Sequence, residues 1–298
     1  MSKAVIAVVG SAMIDLTAYA SLIPAPGQTL EGDLFTTGFG GKGANQGVIG
    51  ALCGAQVHFI GKLGNDLFGD SIYENFKQLG IDTKFVDRSD TPNGVAHIWV
   101  DGDGENRIII IPGANHEIDI NRAVEGIKTI PELSVVVAQC EIKQEVTVAA
   151  FKAAKEHGCL TILNPAPFQE LSTQLLALTD WLIPNESEFF SICGQDPSSD
   201  PALINFRPGK NSIVTLGAHG AVLIDTNGAI TRCAAPTVKV VDTTGAGDAF
   251  VGTFAYALAS GKTALEAMKL GISVASLSVT RKGAQSSYPT QTEIATLS

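Results

Sequence analysis

The sequence predicts an α/β fold, a three-layer α/β/α sandwich with a mainly parallel central sheet and a small β-sheet lid. The first strand, Val5–Val9, is an almost continuous β-branched run, which is typical of a parallel strand buried on both faces. Strand and helix patterns then alternate along most of the chain, as in parallel βαβ units. Residues 16–40 and 94–111 break this alternation with short polar–apolar patterns, which favours a separate β layer.

The elements follow from local patterns in chain order. Helical spacing predicts helices over residues 42–53, 67–79, 143–158, 170–178, 247–260 and 263–279. Apolar runs predict strands over residues 57–61, 133–140, 160–164, 181–185, 212–217 and 221–225, and a short strand ending at Asp242. Two apolar runs flank "DGDGEN", which indicates a hairpin. The glycine and the distal glutamate of this turn are misplaced for a calcium loop. We therefore expect one domain over residues 1–298, with a lid or dimer surface built from about 16–40 and 94–111.

Composition excludes several classes of protein. The net charge of −10 disfavours nucleic acid and anionic membranes as partners. The five cysteines are scattered without a C-x-x-C pair, which indicates reduced cytosolic thiols and no zinc site. The apolar start is better explained as a buried strand than as a signal peptide, and no apolar run approaches the ~20 residues of a membrane span. We expect a cytoplasmic protein.

The stretch "GFGGKGANQ" (38–46) contains a G-x-G-x-x-G pattern. A P-loop is excluded, because Gly43 stands where Ser or Thr must follow the lysine. A dinucleotide fingerprint should directly follow the first strand, which lies some thirty residues earlier, so a dinucleotide oxidoreductase is a weak alternative. Glycines let the backbone approach a ligand, and the amide of Asn45 can both donate to and accept from a hydroxyl. The loop therefore favours a polyhydroxyl ligand, with a plain glycine turn as the alternative.

A second glycine motif, "TTGAGD" (243–248), precedes an amphipathic helix. Bare N–H groups of Gly245, Ala246 and Gly247 at a helix N-terminus favour a phosphate or a developing anion. Asp248 at the same end stays ionised and could accept a hydroxyl proton. The alternative is a capping aspartate without chemistry.

Six motifs occur in order: "GGKGANQ" (40–46), "NPAP" (164–167), "PNESE" (184–188), "TLGAHG" (215–220), "TTGAGD" and "TRKGAQSSYP" (280–289). This set resembles the ribokinase-like (PfkB) family of carbohydrate kinases over nearly the whole chain, and within it the ribokinase group. The resemblance implies ATP-dependent phosphorylation of D-ribose at the 5-hydroxyl. The alternatives are deoxyribose, another sugar or a nucleoside as the substrate, and a non-catalytic sugar-binding protein on the same fold. It also implies a homodimer formed through the β lid.

The resemblance assigns roles residue by residue. Asp248 is the catalytic base, beside the anion hole of Gly245, Ala246 and Gly247. The implied sugar contacts are Met13, Asp15, Gly41, Lys42, Gly43, Asn45 and Glu141. The implied ATP contacts are Asn185, Thr215, Gly217, Gly220 and Gly247. Glu188 would organise Mg²⁺ through water, and the implied K⁺ positions are Asp242, Thr244, Ser278, Arg281, Gly283 and Ser287.

Several of these residues have plainer explanations, and the chain departs from the family pattern in two places. Asn185 and Glu188 also fit a helix cap with a capping-box glutamate, and Glu141 fits a solvated strand end. The bacterial first motif has an asparagine where this chain has Met13. That change removes a hydrogen-bond partner and puts strict sugar specificity in doubt. The stretch 193–212 is short and broken by prolines where the family has a longer helix.

Overall fold

The computed structural model describes residues 4–198, 203, 206 and 210–297. Much of the proline-broken stretch 193–212 therefore lies outside the described residues. The described part forms a nine-stranded sheet, a separate four-stranded sheet and helices on both faces of the larger one. The predicted fold class is confirmed.

The larger sheet is parallel except where its last strands fold back. Its strands in chain order are β1 (Val5–Val9), β4 (Gln56–Gly64), β5 (Asp82–Ser89), β8 (Val135–Ala138), β9 (Leu160–Leu163), β10 (Trp181–Leu182), β11 (Asn211–Thr215), β12 (Ala221–Ile224) and β13 (Ile230–Cys233). Their order across the sheet is β13-β12-β11-β10-β9-β8-β1-β4-β5. The chain order reverses at β1, and ligands of open α/β sheets bind beside such a reversal, at the carboxyl ends of the strands.

Alternate side chains of β1 enter two separate cores. Ile6 and Val8 pack into the core beneath α1 (Lys42–Leu52), α2 (Leu67–Gln78), α7 (Ala246–Ala259) and α8 (Ala264–Ser278). Val5, Ala7 and Val9 pack into the opposite core, beneath α3 (Ile120–Thr129), α4 (Gln144–Glu156), α5 (Thr173–Leu178) and α6 (Glu186–Cys193). A short α9 (Gln291–Ala295) ends the described chain. Because both faces of the sheet are buried, the central strands carry apolar runs instead of an alternating pattern.

The smaller sheet has the strand order β3-β2-β6-β7. Its strands are β2 (Met13–Tyr19), β3 (Leu34–Gly40), β6 (Gly94–Val100) and β7 (Asn106–Ile111). β2 leaves the end of β1 almost directly, and β3 leads straight into α1. The first glycine motif therefore lies where this sheet connects to α1.

The local predictions differ from the structure at a few elements. The predicted strand ending at Asp242 is wrong, because residues 234–240 form no strand. Val240 and Val241 are about half exposed, at 54% and 49%, so their β propensity lacks the burial that would make it effective. The sequence reading missed β5, α3, β13 and α9. β5 is polar because it is an edge strand of the sheet.

Candidate active site

The glycine loop is pressed against the turn that follows β1. Gly41 caps α1 with a φ of 85°, a positive value that favours glycine. A Cβ atom at Gly43 would lie 2.7 Å from both the backbone nitrogen and the oxygen of Ser11. The N–H of Ala44 donates to that same Ser11 oxygen. The two glycines therefore let the chain approach itself, and this fixes the start of α1 at the carboxyl end of β1.

Asp248, in the first turn of α7, receives hydrogen bonds from two adjacent side chains of α1. Nδ2 of Asn45 donates to Oδ2 at 3.0 Å, and Nε2 of Gln46 donates to Oδ1 at 2.9 Å. The carboxylate is only 5% exposed. The fold thus joins the two glycine motifs, which lie some two hundred residues apart, at one carboxylate.

Two further acids, Asp15 and Glu141, lie close enough to Asp248 to interact with its charge. Burial first, and then the charges of Glu141 and Asp248, raises the pKa of Asp15 to about 6. Burial also raises the pKa of Glu141, whose Oε2 accepts the backbone N–H of Lys42 at 2.8 Å. A Cβ at Gly40 would lie 2.2 Å from Oδ1 of Asp15, so the absent side chain leaves room for that carboxylate.

Lys42 is the cation among these acids. The charge of Asp248, and then those of Glu141 and Glu188, raises the pKa of Lys42 against the opposing effect of burial. Asp248, Lys42 and Glu188 line one cavity of about 190 Å³. Its other lining residues are Asn164, Ala166, Ile183, Asn185, Thr215, Thr243, Gly245, Gly247 and Val251. The predicted base therefore shares a cavity with predicted nucleotide contacts, and Lys42, predicted as a sugar contact, also lines that cavity.

The start of α7 offers free backbone donors to this cavity. Gly245 caps the helix with a φ of 75°, and the N–H of Ala246 bonds the Thr243 carbonyl at 3.2 Å. Within the described chain, the N–H groups of Gly247 and Asp248 have no acceptor. A Cβ at Gly247 would meet nothing within 4 Å. The helix start thus combines open space with unpaired donors, the arrangement that suits an anion.

The predicted nucleotide residues separate into two groups. Asn185 caps α6 in a full capping box with Glu188 and pairs with Thr215 in a parallel bridge. Both residues line the cavity. Gly217 and Gly220 lie in the turn between β11 and β12 with positive φ values of 51° and 90°, outside the lining of that cavity.

Burial raises the pKa of Glu188, against the hydrogen bond from the Asn185 N–H. Nδ2 of Asn185 bonds the other Glu188 oxygen at 3.0 Å. The capping box therefore exists, and the buried carboxylate still faces the cavity. An acidic oxygen donor beside a cavity fits Mg²⁺ held through water, since Mg²⁺ keeps several waters when bound.

The predicted K⁺ residues lie where the segment before α7 meets the segment after α8. Oδ1 of Asp242 accepts both the N–H and the hydroxyl of Thr244, and its Oδ2 accepts the Gly283 N–H at 2.8 Å. Ser278 and Ser287 are buried, and Arg281 pairs its guanidinium with Glu293. A carboxylate oxygen is a ligand of the kind that suits a hard cation. Asp242 already accepts three of the roughly four hydrogen bonds available to a carboxylate.

Met13 is 1% exposed and pairs with Gly40 on one side and Gly94 on the other. Its Cγ would lie 3.2 Å from a Cβ at Gly94. The residue therefore presents apolar surface at the start of β2, two positions before Asp15. No polar atom of residue 13 except its backbone is available to a hydroxyl.

Sequence reasoning gave no role to several buried polar side chains around Asp248. They are Ser11, whose hydroxyl donates to Glu141; Gln46; and Gln139 and Asn164, which both bond Gln46. The half-buried Gln285, which bonds Asn45, was also given no role. Gln46, Asn164 and Gln285 lie inside the motifs that carry the family resemblance. These residues could have been identified from the sequence as polar residues at positions predicted to be buried.

Among the described residues, no group of three or more His, Cys, Asp and Glu side chains is arranged to hold a metal ion. None of the described helices combines the length and apolar character needed to cross a bilayer.

Comparison with known proteins places these features in context. The profile of the pfkB family carbohydrate kinases matches residues 3–291. A deoxyribokinase of Salmonella typhi is 39% identical over 95% of each chain. The ribokinase of Mus musculus is 38% identical over 96% of this chain and 92% of its own. The structure of Arabidopsis thaliana ribokinase complexed with ribose and ATP superposes with a TM-score of 0.88 at 30% identity, covering 100% of this chain and 99% of that one.

Proposed function

Because this chain belongs to the pfkB family of carbohydrate kinases, we propose that it transfers the γ-phosphoryl group of ATP to the 5-hydroxyl of a pentose. D-ribose is the first candidate substrate, and the products would be ribose 5-phosphate and ADP. One observation carries the proposal. The Asp248 carboxylate lines a cavity together with Lys42 and Gly247, and the N–H of Gly247 has no acceptor among the described residues.

The arrangement supports a direct in-line transfer. Asp248 accepts the proton of the 5-hydroxyl as the new O–P bond forms and the bond to the ADP oxygen breaks. The backbone donors at the start of α7 and the ammonium of Lys42 stabilise charge on the transferring group. This role for Lys42 adds to the predicted sugar contact. Asp15, Asn45 and Glu141 bind the remaining sugar hydroxyls, and Asn185 and Thr215 lie on the nucleotide side.

Two cations belong to the proposal. Glu188 would orient Mg²⁺ through water, and Mg²⁺ would neutralise charge on the β- and γ-phosphate oxygens. Asp242 and the carbonyls around Ser278 and Gly283 would hold K⁺. Asp242 already links the segment before α7 to the segment after α8 through Thr244 and Gly283. A K⁺ ion that strengthens the connection between these two segments would also stabilise the anion-binding end of α7.

A second candidate substrate is 2-deoxy-D-ribose, and Met13 favours it. A site that hydrogen-bonds a hydroxyl rejects the analogue that lacks it, whereas an apolar contact discriminates weakly. The buried thioether of Met13 offers no such bond. The deoxyribokinase among the relatives keeps this candidate open.

The central test is Asp248→Asn. Loss of a general base should lower kcat by roughly 10²–10⁴-fold, while the KM for ATP stays within about threefold, because the amide keeps the shape of the side chain. Asp103→Asn, at an exposed turn of the small sheet, serves as the control and should keep wild-type turnover. Near-normal kcat in Asp248→Asn would refute the proposed role.

The substrate is settled by a panel of D-ribose, 2-deoxy-D-ribose, D-fructose and adenosine in a coupled ADP assay, with and without K⁺. A ribose kinase should show its highest kcat/KM on D-ribose. If Met13 sets the preference, Met13→Asn should move the ratio of kcat/KM toward ribose by about 10-fold or more, the value of one hydrogen bond. Highest activity on adenosine or fructose would overturn the pentose assignment.

The small sheet also supports the predicted homodimer. β7 is an edge strand in which Ile108–Ile111 are all 40–60% exposed, and Phe35 on the opposite edge is 61% exposed. Long apolar edge strands are seldom left open to water in soluble proteins. We take a second copy of this chain as the partner. Sedimentation velocity should show a dimer for the wild type and a monomer for Ile109→Lys, and a wild-type monomer would contradict this.

A further inference from the structure

A buried network of amide side chains extends behind Asp248. Gln46 is 0% exposed, and its Nε2 donates to Oδ1 of Asp248 at 2.9 Å and to Oδ1 of Asn164 at 3.1 Å. Its Oε1 accepts Nε2 of Gln139 at 2.7 Å. The proposed reaction gives Gln46 no contact with either substrate.

The direction of each amide in this network is fixed by chemistry. A carboxylate oxygen can only accept, so the amide of Gln46 must present nitrogen to Asp248. The reverse orientation would set Oε1 of Gln46 against an anion. Asn164 is held in turn, because its Nδ2 donates to the Ile183 carbonyl at 2.9 Å and its Oδ1 is left to accept from Gln46. Gln46 therefore has one arrangement that satisfies all its partners.

The two oxygens of Asp248 differ as a result. Oδ1 is held by a side chain that no solvent reaches. Among the described residues, Oδ2 is held by Asn45 alone, and the side-chain oxygen of Asn45 accepts Nε2 of Gln285 at 3.0 Å. Asn45 belongs to the loop proposed to bind sugar, so a bound sugar can take over its hydrogen bond. A hydroxyl can then reach Oδ2, whereas Oδ1 keeps its hydrogen bond from Gln46.

We propose that Gln46 is a positioning residue that holds Oδ1 of Asp248 and so makes Oδ2 the atom that receives the sugar proton. The inference rests on the proposed function, because it requires Asp248 to be the base. The proton passes from the 5-hydroxyl to Oδ2, the sugar oxygen bonds to the γ-phosphorus, and the bond from that phosphorus to the ADP oxygen breaks, so that ADP leaves. Gln46 neither gains nor loses a proton in this step.

Two variants test the role. Gln46→Met keeps the length of the side chain and removes the donor, so kcat should fall about 10- to 100-fold, the usual effect of losing a hydrogen bond to a charged group. The KM values for sugar and ATP should stay within about threefold, because Gln46 touches neither. Gln46→Glu keeps the shape and adds a like charge, which should raise the lower apparent pKa of the kcat profile by about one unit or more.

Thr253→Val is the matched control. Thr253 lies on α7, is 0% exposed, and bonds Cys53 instead of Asp248. The control should lose some thermal stability and keep both kcat and its pH profile. An equal fall in kcat in the control would assign the Gln46 effect to general destabilisation and overturn the inference.

The remaining outcomes separate the inference from the proposed function. Wild-type kcat in Gln46→Met, or an unshifted pH profile in Gln46→Glu, overturns the role of Gln46. If Gln46→Met fails to fold, the profile of Gln46→Glu decides alone. Asp248→Asn is assayed in parallel: an inactive Asp248→Asn with normal Gln46 variants defeats only this inference, whereas an active Asp248→Asn defeats the proposed function itself.

Discussion

Asp15→Asn should make the free protein more stable while it weakens sugar binding. The folded protein holds the pKa of Asp15 at about 6, above the ordinary 3.8, chiefly because the carboxylate is buried. The difference of about 2 pH units, at 1.36 kcal/mol each, means that the ionised carboxylate destabilises the folded state by at most about 3 kcal/mol. Asparagine has the same shape without the charge and avoids this cost.

The sign of the effect gives it a pH signature. A group whose folded pKa is raised favours folding below its unfolded pKa, near 4, and loses that contribution as the pH rises through about 6. The advantage of Asp15→Asn should therefore be largest at pH 8 and below about 1 kcal/mol at pH 4. For a chain of this length, 3 kcal/mol corresponds to about 5 °C in Tm.

The assay is urea unfolding at pH 8 and pH 4, with Asp33→Asn, an exposed aspartate between β2 and β3, as the control. In turnover measurements the sugar KM of Asp15→Asn should rise about 10- to 100-fold, because a hydroxyl loses its charged acceptor. A stability change that is the same at both pH values would refute the reasoning, since it would then reflect packing and not the buried charge.

Two further predictions concern the glycines. Gly43→Ala should lower Tm and activity together, because its Cβ would lie 2.7 Å from backbone atoms of Ser11 and such a clash costs about 1–3 kcal/mol. The control is Gly38→Ala, whose Cβ would meet nothing within 4 Å, and it should shift Tm by less than about 2 °C. Equal Tm shifts in the two variants would contradict this prediction. Gly247→Val should keep Tm within about 2 °C of the wild-type value, because its Cβ meets open space. The variant should lower kcat at least about 10-fold, because the added side chain fills the position proposed for the anion. Full activity would show that no phosphate oxygen lies there.

Burial explains which elements could be predicted from the sequence. β1 and β8 carry unbroken apolar runs because both faces of each strand are covered, and such runs can be recognised in the sequence without the fold. Edge strands cannot be recognised in this way. β5 reads "DTKFVDRS", and only its pairing with β4 makes it a strand. The segment before Asp242 fails in the opposite sense, with β-branched residues but no partner strand.

The candidate site was predictable in part for a similar reason. The glycine motifs and Asp248 stand out because helix starts and positive φ values select particular residue types. The bond from Asn45 to Asp248 spans 203 positions, and no local pattern encodes it. The sequence did not identify Gln46, because its proposed role depends on its contact with the distant Asp248. A single glutamine at the start of a helix has no distinctive spacing.

The charge within the site bears on what it can bind. The charges of Asp248, Glu141 and Glu188 raise the pKa of Lys42, and burial, with the charges of Glu141 and Asp248, raises the pKa of Asp15. Four carboxylates and one ammonium therefore interact at this site. Fully ionised, this group carries a net charge of −3, and repulsion would oppose a polyanionic nucleotide entering the same cleft. Cations that accompany the nucleotide would offset this repulsion. The carboxylates that destabilise the folded protein without ligands are therefore also a physical reason for the cations in the proposed function.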